Sequence, residues 1–193
     1  MNILEYAIMD APGAPLKKAL VDAGIGEDVF ASFDDGIRQT IFSIVARNAN
    51  MSDKERFVSV IRDTLSDLSG HGEEGKAIDR TSIEAAINNF EFKHKEANFG
   101  RFPKGLMMGL DAFNTWLYDD ASALEMFKLN EVYDELKESL KTGYFEELIW
   151  EKLVQNTFGM IFVMKPKKGL DKENDAAEKQ KLADYKASLT DNE

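Results

Sequence analysis

The sequence predicts an α+β domain: a small, mainly antiparallel sheet with helices packed on one face. Three observations carry that expectation. Apolar residues recur at helical spacing in several stretches, most densely over residues 99–120. Residues 28–48 read as a strand–turn–strand unit. Residues 158–164, Phe-Gly-Met-Ile-Phe-Val-Met, form a short apolar strand closed by Pro166 and Gly169.

Taken in order, the chain opens directly in helical pattern at Ile3, Leu4, Ala7 and Ile8, with no cap residue before the stripe. That start reads as one cut from a longer pattern. Ala11-Pro12-Gly13-Ala14-Pro15 breaks the helix, Pro15 starts a second one through Leu16, Ala19, Leu20 and Ala23, and Gly24 stops it. Strands follow at residues 28–33 and 37–48 around an Asp34-Asp35-Gly36 turn. The run Ile41-Phe42-Ser43-Ile44-Val45 is apolar on both faces, the mark of a central strand rather than an edge. Ser52-Asp53-Lys54-Glu55 has the spacing of a capping box ahead of Phe57, Val58, Ile61, Leu65 and Leu68. Thr81-Ser82-Ile83-Glu84 is a second such candidate, with Asp79 as a competing cap.

The stretch at residues 99–120 should be the central buried helix. Leu106, Leu110, Phe113 and Leu117 lie on one face, widened by Met107 and Trp116, and Pro103 suits the first turn. Gly105 and Gly109 sit four apart on the same helix, and their helical cost of roughly 1 kcal/mol each implies close approach of another backbone. Residues 124–156 are helical with a break at Thr142-Gly143, and from Leu170 onward alternating charge describes a solvated helix or linker.

Composition limits the functions open to the chain. Its 193 residues carry a net charge of −11, which argues against nucleic acid and against anionic membrane surfaces. There are no cysteines, so thiol chemistry and disulfides are excluded. No apolar run reaches bilayer length. A cytoplasmic location is the expectation.

Chemistry-bearing residues are few. His71-Gly72-Glu73-Glu74-Gly75 begins like the inverted zinc motif His-x-x-Glu-His, which needs two histidines converging on one metal with the glutamate beside the metal-bound water. Gly75 stands where the second histidine belongs, so a solvated turn is the preferred reading. His94 is the remaining histidine and has no ligand spacing around it. Glu91, Glu96, Asp119, Asp120 and the Glu146-Glu147 pair show no acid–base spacing and read as solvated faces. Met107-Met108 reads as core filling. No nucleophile elbow or phosphate-cradling glycine loop is present. Catalytic, cofactor-binding and metal-ligating residues are therefore all expected to be none.

A resemblance supplies what the spacing does not. At Ala11-Pro12-Gly13-Ala14-Pro15-Leu16-Lys17-Lys18-Ala19-Leu20, with Ala23-Gly24-Ile25-Gly26 after it, the sequence resembles the presequence-protease branch of the pitrilysin (insulin-degrading enzyme, or insulinase) zinc metallopeptidases. Residues 90–96, Phe102-Pro103-Lys104-Gly105-Leu106, Trp116-Leu117-Tyr118-Asp119-Asp120 and residues 142–147 continue it in the family's order. The resemblance implies four homologous α+β domains in two bowl-like halves enclosing a chamber, with the zinc motif in the first domain. Residues 1–168 look like most of the second, non-catalytic domain, lacking a strand before Met1. Residues 169–193 look like the start of a helical linker to the other half.

The family's zinc ligands have no matching positions here, and neither does its substrate-contacting Arg and Tyr pair. The implied parent is a zinc-dependent endopeptidase, and this piece would be a chamber wall that holds no zinc and is inactive alone. Its expected partners are the remaining domains, peptide substrates through the parent, and a second copy through an exposed sheet edge. The alternative from a different class is a free-standing acidic interaction module whose charged C-terminal helix is the binding arm.

Overall fold

In the computed structural model, which describes residues 1–73 and 75–189, the chain falls into two units, Met1–Asn156 and a second beginning at Thr157. The first holds the hydrophobic core. Its centre is the N-terminal helix, α1 (Asn2–Glu5), which widens into a π-helical turn over Tyr6–Asp10. Leu4, Ile8 and Met9 are completely buried there.

Pro15 opens α2 (Pro15–Asp22), its missing N–H falling where no partner is needed. Gly24, at φ +67°, ends it. Ile25 N–H returns to the Leu20 carbonyl at 3.1 Å and Gly24 N–H to the Val21 carbonyl at 2.9 Å. This pair of bonds satisfies the last carbonyls, and the flanking Leu20 and Ile25 are both fully buried. The predicted stop thus folds the chain back into the core.

Strands β1 (Asp28–Asp34) and β2 (Ile41–Arg47) form an antiparallel pair with Ala31 opposite Ile44 and Asp34 opposite Ile41. Side chains alternate faces. Val29, Ala31, Phe42, Ile44 and Ala46 pack on the core, while Ile41 is half exposed. The second strand begins at Ile41 rather than Ile37. The Asp34 carboxylate accepts the Gly36 N–H at 3.1 Å, turning the chain early and leaving a six-residue connection.

Helix α3 (Lys54–Leu68) is preceded by a 3₁₀ turn over Met51–Asp53, and no side chain caps it, so the expected box at Ser52–Glu55 is not made. At α4 (Arg80–Glu96) the competing cap wins: Asp79 accepts from the Thr81 and Ser82 N–H groups at 3.3 and 3.0 Å. After α5 (Lys104–Trp116) come short 3₁₀ turns, then α6 (Leu129–Ser139), α7 (Tyr144–Ile149) and a π-helical turn over Trp150–Val154. The core is completed by Leu65, Leu68, Ile83, Ala86, Ile87, Tyr133, Phe145 and Ile149.

Two expectations are corrected. The central helix is α1 with its π turn, not the stretch at 99–120. Helix α5 has no buried residue, and Leu106, Leu110, Phe113 and Trp116 are each about half exposed. Nothing lies within 4 Å of a Cβ built on Gly105 or Gly109. Apolar periodicity shows that a face needs cover but not which part of a molecule provides it. Residues 158–164 form no strand, and the sheet contains β1 and β2 only among the described residues. The second unit consists of this extended stretch and α8 (Leu170–Ser188), which has no buried residue. Residues 190–193 of the linker reading and Glu74 of the His71 stretch lie outside the described residues.

Candidate functional site

The residues with functional chemistry are held in structural contacts of their own. His71 follows α3, where the chain turns back at buried Ser69. Its backbone N–H donates to the Ser66 carbonyl at 3.1 Å. Its ring stacks on Trp150, centroids 4.1 Å apart and planes 14° from parallel. Its Nδ1 lies 3.1 Å from the Ser69 carbonyl oxygen. The same nitrogen lies 3.3 Å from the Ser69 hydroxyl, and one face of the ring is covered by the Trp150 indole. A zinc-binding helix would require His71 and a second histidine on one face, and the chain places Gly75 there instead. These residues do not fit the metal.

His94, on α4, sits beside a different ring, its centroid 6.1 Å from that of Tyr133. One turn earlier on the same helix, Glu91 joins two lysines. The Glu91 carboxylate accepts from Lys95 of its own helix and from Lys137 of α6, each at 2.5 Å. The Lys137 hydrogen bond, seconded by that of Lys95, holds the Glu91 carboxyl below its ordinary range. The same bond pushes the Lys137 ammonium up. Burial, aided by the Glu91 charge, pushes the Tyr133 phenol up. Glu91, Lys137 and Tyr133 are each pushed further toward the charge state they ordinarily hold at neutral pH, and the Glu91–Lys137 pair ties α4 to α6.

The other carboxylates are likewise accounted for. Asp119 accepts from Ala121 N–H and Ser122 Oγ, which hold its carboxyl down, the hydroxyl contributing most. Asp120 accepts the Trp116 indole N–H at 2.9 Å. Glu146 and Glu147 occupy the first turn of α7, where the helix dipole favours negative charge. Glu96 is an exposed residue at the end of α4. Met107 and Met108 are half buried on α5 rather than in the core. Among the described residues no group of three or more His, Asp or Glu side chains is placed to hold a metal ion.

What sequence reasoning missed is a surface. On α5, Phe113 stacks on Trp116 at 5.6 Å and 8°, beside Leu106, Leu110 and Leu117, the last 75% exposed. An open depression of about 490 Å³ adjoins it, lined by Asp35, Ile37 and Arg38 of the β1–β2 connection and by Asn114 and Tyr118. Soluble proteins rarely leave so contiguous an apolar face uncovered. The sequence carries its signal, an apolar stripe at helical spacing, which marks a face that needs cover without saying what provides it.

No family model matches the sequence. The chain is 36% identical over 188 residues, 97% of its length, to protein HypA of Clostridium perfringens. It is 29% identical over 196 residues, 99% of its length, to presequence protease 1 of Arabidopsis thaliana, chloroplastic/mitochondrial. It is 27% identical over 188 residues, 94% of its length, to the mitochondrial presequence protease of Danio rerio. These matches take up 19%, 18% and 17% of the three relatives, so the chain spans about a fifth of the length of the curated proteins it matches. No helix among the described residues is long and apolar enough to cross a membrane.

Proposed function

The chain being a segment of a presequence-protease-family protein, we propose that it serves a larger zinc-dependent peptidase as a non-catalytic wall domain. The observation that carries this reading is the α5 face. A helix with half-exposed Leu106, Leu110, Phe113 and Trp116, and with open space over Gly105 and Gly109, is shaped to receive a closely approaching element. The remaining four-fifths of the relatives' length is where such an element would come from.

In this reading residues 1–168 form the wall and residues 169–193 begin the connection to the other half. The zinc and its His-x-x-Glu-His ligands belong to another part of the protein, because His71 lacks the second histidine. The net charge of −11 suits a chamber that gathers basic, unfolded peptides by electrostatic attraction.

The test has two arms. The 193-residue chain alone should show no chelator-sensitive cleavage of an unfolded reporter peptide. In the longer protein, Leu110→Glu with Phe113→Glu should abolish cleavage and expose the chamber to protease nicking. Zinc-dependent cleavage by the isolated chain, or full activity of the doubly substituted longer protein, would refute the proposal.

A further inference from the structure

We infer that His71 is a proton-operated clasp: on taking up a proton its ring tightens its hold on Trp150 and fixes the Trp150–Val154 turn to the end of α3. The inference does not depend on the peptidase reading.

Gly70, at φ +79°, lets the chain turn back where α3 ends. Its N–H returns to the Asp67 carbonyl at 2.8 Å, and the His71 N–H returns to the Ser66 carbonyl at 3.1 Å. This pair of bonds is a Schellman ending. It leaves His71 at the helix C-terminus, where the macrodipole favours a positive charge. The ring then lies flat on the Trp150 indole, centroids 4.1 Å apart and planes 14° from parallel. An indole face attracts a cation through its quadrupole, and a neutral imidazole has no charge to offer it.

The hydrogen bonds around the ring identify the nitrogen that takes the proton. The Ser69 hydroxyl has one hydrogen, which goes to the Ser66 carbonyl at 2.7 Å. Toward Nδ1 the same hydroxyl, 3.3 Å away, therefore accepts, as does the Ser69 carbonyl at 3.1 Å. The network assigns the hydrogen of the neutral ring to Nδ1 and leaves Nε2 to be protonated. His71 is an exposed residue, which leaves a positive charge there hydrated.

The surrounding charges agree in sign. Helix α3 packs against α7 and against the Trp150–Val154 turn. Among the described residues, the last two turns of α3 bring Arg62, Asp63 and Asp67, and the loop after His71 brings Glu73 and Lys76. Helix α7 brings Glu146 and Glu147, and the turn brings Glu151 with Lys152, 3.7 Å apart. Carboxylates outnumber cations two to one there, which suits a positive ring. Of the side-chain types present, histidine alone changes charge between about pH 5 and pH 8. The Trp150–Val154 turn is the last element of the first unit, which ends at Asn156. The clasp thus sets how firmly the chain is held just before it leaves that unit.

The 193-residue chain tests this in a Trp116→Phe background, where Trp150 is the one indole left. Its emission should change between about pH 8 and pH 5 along a one-proton curve. The change should persist in His94→Asn and vanish in His71→Asn. A double-mutant cycle of His71→Asn and Trp150→Leu, read by urea unfolding, should show a coupling about two- to fivefold larger, as an equilibrium constant, at the acid end of that range. An emission change that survives His71→Asn, or no change at all, overturns the inference. So does a coupling that is equal at the two ends or larger at the alkaline one. Should Trp150→Leu fail to fold, the emission arm decides alone.

Discussion

Replacing Ile8 by alanine should cost far more stability than replacing Leu110 by alanine. Both substitutions remove the same three carbon groups, worth about 0.8 kcal/mol each when fully buried, or about 2.4 kcal/mol together. Ile8 is completely buried in the π turn at the centre of the core. The π turn packs against α1, α2, α4 and β1, which cannot all close on the gap, so a cavity contribution brings the loss to about 3–4 kcal/mol. Leu110 is 52% exposed, so it forfeits about half the transfer energy, roughly 1 kcal/mol, and leaves no enclosed cavity. Urea unfolding followed by circular dichroism measures both, provided the slope with denaturant stays constant. Equal losses, or a larger loss at Leu110, would show that α5 lies in the core and that the placement of the hydrophobic centre is wrong.

Other perturbations follow from named contacts. Gly24→Ala should cost ~1 kcal/mol, the strain of a left-handed alanine in otherwise open space. Gly26→Ala should cost more, because at φ +72° its Cβ would stand 2.7 Å from the Arg47 carbonyl oxygen and push β2 aside. Glu91→Gln should loosen α6 from α4, seen as faster amide exchange in both helices. Because the Glu91 carboxyl is held down in the folded state, its contribution is complete above the ordinary glutamate range. It is lost as pH falls through the lowered folded value, so the acid limb of stability should flatten in Glu91→Gln. Glu5 works in the opposite sense. Burial, with the charge of Asp10, raises its carboxyl, so its contribution fades as pH rises through the raised folded value, and Glu5→Gln should stabilise the chain at neutral pH.

The parts of the fold that local chemistry decides were readable in the sequence. Pro15 and Gly24 bracket α2 as proline and glycine should, and Asp79 caps α4 through bonds to its own neighbours. The two strands were readable but their register was not: the second starts at Ile41, and the six-residue connection sets Asp34 opposite Ile41 and Ala31 opposite Ile44. What could not be read depends on the rest of a molecule. The stripe on α5 looks the same whether its cover comes from within the chain or from outside it. Residues 158–164 have strand chemistry, but a strand exists only where an edge is offered to it. The π-helical widening at Tyr6–Asp10, which brings Ile8 and Met9 together into the core, has no signature in residue spacing. At the candidate site the sequence shows Gly75 where the zinc motif has its second histidine, while the stacking of His71 on Trp150 joins residues 79 apart and has no local signature.

The pairing of His71 with Trp150 also gives the molecule an optical handle. The chain contains two tryptophans, and Trp116 lies half exposed on α5. In a Trp116→Phe background all indole emission would arise from the ring lying flat on imidazole. Detachment of the Trp150–Val154 turn from α3 would then change colour and brightness before the rest of the core melts, so the fraying of that corner could be timed separately from global unfolding.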